Sequence, residues 1–394
     1  MNILDKCFHF KRAEDAQKKG MYPYFTPIQE VNGTRVKVNG KEMIMVGSNN
    51  YLGLLNHPEV MKAAKEAIDR YGVSTCGSRF LNGTLDIHVE LEKKLAEFMK
   101  KEAALAMSTG FQTNQGIIST IVGKGDVIIS DQLVHASIKD AARLSFGNSY
   151  KFKHNDMDDL ERILSSLDAN VGKLIVVDGV FSMEGDLANL PGIIQLAKKY
   201  DAQLLVDDAH GIGIMGENGR GTAEHFGVED DVDLIMGTFS KSIASLGGFV
   251  VGKKKVISYI KHHARALIFS ASITPASVAT ALATVHIIEK EPERRKRLWE
   301  ISKKMKLGLQ DMGFNTGPTE TPIIPVVIGD DNLAFMLWKG LREMGVFTNP
   351  VIYPAVPKGQ ALIRTSYSAT QSEEELDNVL SVFKECGKKL GLIK

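Results

Sequence analysis

An α/β fold with a mostly parallel sheet, covered on both faces and followed by a smaller C-terminal domain, is predicted by three features of this 394-residue sequence. Between about Tyr51 and Gly252, short apolar runs rich in β-branched residues alternate with segments of helical period. Such alternation favours parallel strands with helices packed on both sides. Four of the runs end in polar groups. After about Lys290 the pattern changes to longer, charged helices.

The elements follow in order. Residues 1–45 read as an arm: a charged helical piece, the Tyr22-Pro23-Tyr24-Phe25-Thr26-Pro27 segment, then a hairpin with Asn32-Gly33 and Asn39-Gly40 as turns. Residues 46–290 form the large domain. In it His57–Tyr71 is helical, with Val60, Ala64 and Ile68 on one face and Gly72 as the stop. Ile87, Leu91, Leu95 and Phe98 repeat that period, as do Leu160, Ile163, Leu164 and Leu167. The strands are expected at Val127–Ile129, Leu174–Val177, Leu204–Val206, Leu234–Met236 and Phe249–Val251. Ile268–Ile288 carries no charge and is long enough to span a bilayer, but Pro275, His286 and many Ser/Thr residues favour a buried core segment. Residues 291–394 form the small domain, with a strand-like run at Ile323–Val327 and a last helix over Ser372–Lys389. Ser372 and Glu375 have capping-box spacing there.

Lysine plus arginine (48) balance aspartate plus glutamate (47), so bulk charge marks neither a nucleic-acid nor an anionic-membrane surface. Cys7, Cys76 and Cys386 are too few and too scattered for a disulfide framework or a metal cluster, and fit a reducing compartment. Asp5, Lys6, Lys11 and Arg12 interrupt the N-terminus before any signal-peptide-like run, so a cytoplasmic location is expected and no metal is.

The polar strand ends are Asp131–His135, Asp178–Ser182, Asp207–His210 and Thr238–Lys241. Ligands of open α/β sheets sit outside the carboxyl ends of the strands, so these segments are expected to converge on one pocket. An isolated lysine usually reads as a solvated charge. Lys241, however, has no other charged residue between Asp233 and Lys253. Desolvation of an amine in such surroundings depresses its pKa and makes it a nucleophile toward carbonyls, with Schiff-base chemistry its leading use. Asp207, at a buried strand end, could cap a helix or hold a cationic ring nitrogen, the partner that pyridoxal phosphate requires. His135 offers a flat ring for stacking, or an ordinary hydrogen-bonded core histidine. Ser108–Asn114 reads as a strand-to-helix turn whose amide donors favour an anion, with Thr238 and Ser240 adding hydroxyls.

Gly211-Ile212-Gly213-Ile214-Met215-Gly216 is a literal dinucleotide fingerprint, but Gly216, Asn218, Gly219 and Gly221 would break the helix that the motif must open. A dinucleotide-dependent oxidoreductase is therefore a remote alternative. No Walker loop, H-E-x-x-H or G-x-S-x-G occurs.

The segments Asp207-Asp208-Ala209-His210, Gly237-Thr238-Phe239-Ser240-Lys241 and Leu246-Gly247-Gly248 together resemble the α-oxoamine synthases, fold-type I pyridoxal-phosphate enzymes of aspartate aminotransferase-like architecture. The likeness runs from about residue 20 to 390. It includes Ser48–Gly53, His135-Ala136-Ser137, Phe181–Asp186 and Leu362-Ile363-Arg364. Within the family, Gly77–Thr84 through His88, and Met236–Phe249, look most like the bacterial serine palmitoyltransferase branch.

The resemblance implies pyridoxal 5'-phosphate as cofactor, Lys241 as the Schiff-base lysine and proton-transfer base, and Asp207 as the ring-nitrogen partner. It implies that His135 stacks on the ring and His210 contacts its phenolic oxygen. Gly110, Phe111, Thr238 and Ser240 would surround the phosphate, with Ser182 nearby. It also implies a homodimer with shared sites, in which Ser272 and Thr274 reach the neighbour's phosphate. Asn50, His135 and Arg364 would meet substrate, Arg364 by its carboxylate. The implied reaction is decarboxylative condensation of L-serine with a long acyl-CoA, whose lipid product leaves peripheral membrane contact open. Nearest alternatives are a 2-amino-3-ketobutyrate ligase or an 8-amino-7-oxononanoate synthase; a cofactor-free partner subunit is disfavoured by Lys241. One departure stands out: Ile352-Tyr353 precedes Pro354-Ala355-Val356-Pro357, where some members of that branch carry an arginine.

Overall fold

The computed structural model describes residues 2–394. Its central sheet has seven strands: β1 (Ala103–Met107), β2 (Val127–Asp131), β3 (Asn148–Phe152), β4 (Lys173–Asp178), β5 (Gln203–Asp207), β6 (Leu234–Thr238) and β7 (Gly248–Gly252). Across the sheet they run β1-β7-β6-β5-β4-β2-β3. β7 is antiparallel to both neighbours, and every other pair is parallel.

Successive residues of a strand point to opposite faces, and both faces here are apolar. Ile129, Ile175, Val206 and Val251 enter the larger hydrophobic cluster, while Ile128, Val176, Leu205 and Val250 enter a second one across the sheet. Each such side chain, fully buried, contributes roughly 1.5–3 kcal/mol. β2 and β4–β7 are the five runs expected from β-branched content. β1 and β3 were not expected. β1 reads Ala-Ala-Leu-Ala-Met, a string of helix formers, and is extended because it pairs along its whole length with β7. β3 is an edge strand with four exposed residues, too polar to show an apolar run.

The predicted helices occupy Pro58–Tyr71, Asp86–Phe98 and Met157–Ser165. The charge-free stretch resolves into an irregular segment and the helix Pro275–Lys290, whose Val278, Ala281 and Val285 join the larger cluster. Among the described residues no helix is long and apolar enough to cross a membrane.

Toward the C-terminus, strands Ile323–Gly329, Asn349–Val351 and Ala361–Ser366 form an antiparallel sheet. The helices Pro292–Asp311, Asp331–Glu343 and Glu373–Lys389 accompany it. The Ser372–Glu375 capping box is present in both directions. The N-terminal hairpin is a three-stranded meander, and its last strand, Lys41–Met45, pairs in parallel with Val346–Phe347. Ile44 and Val46 share a hydrophobic cluster with Ile301, Leu337 and Phe383. The strand at the end of the arm is thus built into the C-terminal layer.

Candidate active site

β4, β5 and β6 end side by side, with Asp178 opposite Asp207 in register. Beyond their carboxyl ends lies a cavity of about 290 Å³. Of the sequence-predicted residues, Lys241, Asp207, His135, His210 and Ser182 line it. Gly110, Phe111, Thr238 and Ser240 line its other side. Three of the four polar strand ends therefore supply this cavity directly. From the fourth, His135 arrives while Asp131 turns away to accept from the Leu133 and Asn155 amides.

Lys241 follows β6 in a turn closed by Ala244 N–H donating to its carbonyl. Burial lowers its pKa to about 8, against the opposing pull of Asp207 and Asp178. Asp207 is fixed on both oxygens: Oδ2 accepts from Asn114 Nδ2 at 2.7 Å and Oδ1 from the Ala209 amide at 3.1 Å. Burial, then the neighbouring Asp207, pushes the Asp178 carboxyl well up; it accepts the His135 backbone N–H at 3.1 Å.

His135 caps the helix Ala136–Leu144. Its Nδ1 lies 2.7 Å from Ser137 Oγ, and burial lowers its pKa. His210 is held well below its ordinary value by burial and by Lys241 and Arg364. Its Nδ1 lies 2.8 Å from the fully buried Tyr51 hydroxyl. Arg364 Nη2, which can only donate, reaches the same hydroxyl at 3.4 Å, and the hydroxyl has a second, more distant acceptor in Asn49 Oδ1 at 3.3 Å; a proton given to the nearer Nδ1 leaves Nε2 protonated.

The far side is built for an anion. Thr109 caps the twelve-residue helix Gly110–Ile121 by accepting from the Gln112 amide. The amides at this helix start carry the positive end of the dipole. A Cβ at Gly110 would come within 2.8 Å of Thr238 Oγ1, so only glycine leaves this end open. Thr238 and Ser240 hydroxyls stand 3.0 Å apart beside it.

Arg364 is buried on strand Ala361–Ser366, and its Nε donates to the Ser182 carbonyl at 2.7 Å. Asn50 is buried but does not line the cavity, and its Oδ1 accepts the Leu54 amide at 3.0 Å. Ser272 and Thr274 stay outside this cavity. Ser272 Oγ donates to the Gly83 carbonyl at 2.7 Å, and Thr274 Oγ1 donates to Ser277 Oγ. Asn114, which sequence reasoning placed only in an anion-binding turn, is the side chain that orients Asp207. Its position one helical turn after Gly110 was the available signal. The fingerprint glycines Gly211, Gly213 and Gly216 open no helix; Gly211 and Gly221 pack against buried Asp208, whose carboxyl burial raises to about 7.

A donor-lined anion end, a flat histidine wall, a fixed carboxylate and a desolvated amine match the phosphate, ring, ring nitrogen and aldehyde of pyridoxal phosphate. The residues present fit that group.

A family model described as aminotransferase class I and II matches residues 41–383. The chain is 51% identical over 387 residues to the serine palmitoyltransferase of Sphingobacterium spiritivorum, covering 97% of each. It is 44% identical over 393 residues to the 8-amino-7-oxononanoate synthase of Thermoanaerobacter pseudethanolicus, covering 100% of each. A solved S. paucimobilis serine palmitoyltransferase with bound PLP and myriocin superposes with a TM-score of 0.97 at 37% identity, over 100% of both chains. The strands that converge on Lys241 and Asp207, together with these full-length matches, place the chain in the aminotransferase class I and II family, to which it belongs as an α-oxoamine synthase.

Proposed function

We propose that this chain is a pyridoxal-phosphate-dependent acyltransferase that condenses L-serine with a long-chain acyl-CoA such as palmitoyl-CoA. The products are CO2, CoA and a 3-ketosphinganine, in the first step of sphingolipid synthesis. The observation that carries this reading is one cavity holding the desolvated Lys241 amine, the Asn114-fixed Asp207 and an anion-binding end. The 51% relative, matched over 97% of both chains, favours serine and a long acyl chain.

When bound, pyridoxal phosphate supplies an electron sink for negative charge at the substrate's α-carbon. Asp207 would hold the ring nitrogen protonated, and Asn114 keeps its carboxylate aimed. Gly110, Phe111, Thr238 and Ser240 would bind the phosphate, with Ser182 at its side. His135 would stack on the ring, and His210 would donate from Nε2 to the phenolic oxygen. Lys241 would take the α-proton at Nζ and return one later; with its pKa near 8, both forms are accessible near neutral pH. Arg364 would hold the serine carboxylate, with Asn50 and His135 beside the substrate. Metal has no role in this scheme.

Two copies would share the site, with Ser272 and Thr274 of each near the other's phosphate. Val73, Phe80, Leu81 and Phe269, all exposed in the single chain, support such a contact. Three unpaired cysteines support a cytoplasmic location, with membrane contact limited to product release. We keep the division into an arm (1–45), a large domain (46–290) and a small domain (291–394) as part of this reading.

The 44% relative favours the second reading, another α-oxoamine synthase using alanine and a different acyl-CoA. Assaying serine, glycine and alanine against acyl-CoAs of several lengths separates the two. Turnover confined to serine with long chains is expected; turnover confined to alanine with a short acidic acyl-CoA would overturn the assignment.

A further inference from the structure

The Phe181–Asp186 loop lies between the large sheet and the C-terminal sheet. On one side the Gly185 carbonyl accepts from Thr321 Oγ1 at 2.8 Å and from the Glu320 amide at 3.0 Å. Within the loop, the Phe181 amide donates to Asp186 O and the Gly185 amide to Phe181 O. Ser182 gives its carbonyl to Arg364 Nε at 2.7 Å and also lines the cavity.

On the other side stands His154, two residues beyond β3 and outside the cavity. Its Nδ1 lies 3.1 Å from Asp131 Oδ2, and its Nε2 lies 2.8 Å from Asp186 Oδ2. Carboxylates only accept, so each ring nitrogen donates and the ring is cationic. The ring edge also meets Phe181 at 4.4 Å between centroids, nearly perpendicular. Burial lowers the pKa of this histidine, but the two carboxylates outweigh it and hold it at about 10. Asp186 Oδ1 has no other partner, so His154 is the group that neutralises this buried carboxylate.

We propose that His154 is a positioning residue for the amino-acid carboxylate: clasped between Asp131 and Asp186, it fixes the Phe181–Asp186 loop and, through the Ser182 carbonyl, the guanidinium of Arg364. This rests on the reading of Arg364 as the carboxylate holder. His154 touches neither cofactor nor substrate. Without it, a buried, half-partnered carboxylate pulls its end of the loop toward water, and the carbonyl that aims Arg364 moves with it.

The test compares full-length His154→Phe, which keeps the ring against Phe181, with His154→Gln, which keeps one donor, and with Asp186→Asn. Amide exchange across residues 181–186 reports the loop without needing activity. Serine titration of the bound cofactor's absorbance reports the carboxylate site. His154→Phe is expected to speed exchange in this loop and to weaken serine binding ~10–100-fold, the cost typical of losing an outer partner that orients a ligand-holding group. Cofactor content and the acyl-CoA KM should be unchanged, and His154→Gln should recover part of the serine affinity. Unchanged exchange, or unchanged serine affinity with the loss confined to kcat, would overturn the proposal. If His154→Phe does not fold, Asp186→Asn carries the same comparison. If the unaltered holoenzyme binds no serine, the assigned function fails while loop exchange still decides the role of His154.

Discussion

Arg364 has one strong bond and two weak ones before any substrate arrives. Nε is 2.7 Å from the Ser182 carbonyl, while Nη1 and Nη2 lie 3.4 Å from Ser366 Oγ and the Tyr51 hydroxyl. The outer nitrogens can thus exchange long contacts for two parallel bonds to a carboxylate. Arg364→Ala is expected to weaken serine binding by roughly 2–5 kcal/mol, the range for truncating one partner of a buried charge pair. Arg364→Lys should recover only part, because a point charge lacks the fork. A serine titration of the cofactor spectrum checks this, and the spectrum without serine should not change. At Lys241 the expectation is sharper: Lys241→Ala should lose turnover and borohydride-reducible cofactor attachment while thermal unfolding stays near the unaltered chain. Lys241 was legible because its sequence neighbours carry no charge. The roles of Asn114 and Tyr51 were not, because each depends on a partner more than ninety residues away.

The strand ends and the helix that starts at Gly110 decide where the chemistry sits. Gly110→Ala puts a methyl against Thr238 Oγ1 and into the anion end. We expect a destabilisation of about 1–3 kcal/mol, typical of overpacking, together with faster loss of cofactor on dialysis. Denaturant titration and residual cofactor absorbance measure the two parts. The His154 clasp makes its own mark on stability. Its folded pKa of about 10 lies above the unfolded value near 6.5, so its contribution is complete below about pH 6.5 and is lost as pH rises toward 10. Asp131, Asp186 and the half-buried Glu184 are the charged groups facing it. Melting temperature followed from pH 6 to 10 should therefore decline less in His154→Phe than in the unaltered chain. Elements rich in β-branched residues were readable in order. β1 was hidden by its helix formers and β3 by its polarity, since only pairing partners distant in sequence make them strands.

At the scale of the whole molecule, the alternation of periods was enough to anticipate a parallel sheet with both faces covered. It did not reveal that one strand, β7, runs against its neighbours, nor that Lys41–Met45 pairs with Val346–Phe347, because strand direction and long-range pairing leave no local signal. The exposed Phe80 (56%), Leu81 (79%) and Phe269 (74%) flank the segment that carries Ser272. A dimer by light scattering is expected, with loss of cofactor affinity when Ser272→Ala and Thr274→Ala are combined; full activity in a demonstrable monomer would exclude the shared phosphate site. The reaction itself is tested most directly by a carbon balance. Holoenzyme is given palmitoyl-CoA and serine labelled at the carboxyl carbon, and CO2, CoA and the lipid product are quantified together. Release of the label as CO2 in equal amount to CoA, with an unlabelled 3-ketosphinganine, is the expected result. A condensation product that retains the carboxyl label, or CoA release that requires alanine in place of serine, would contradict it.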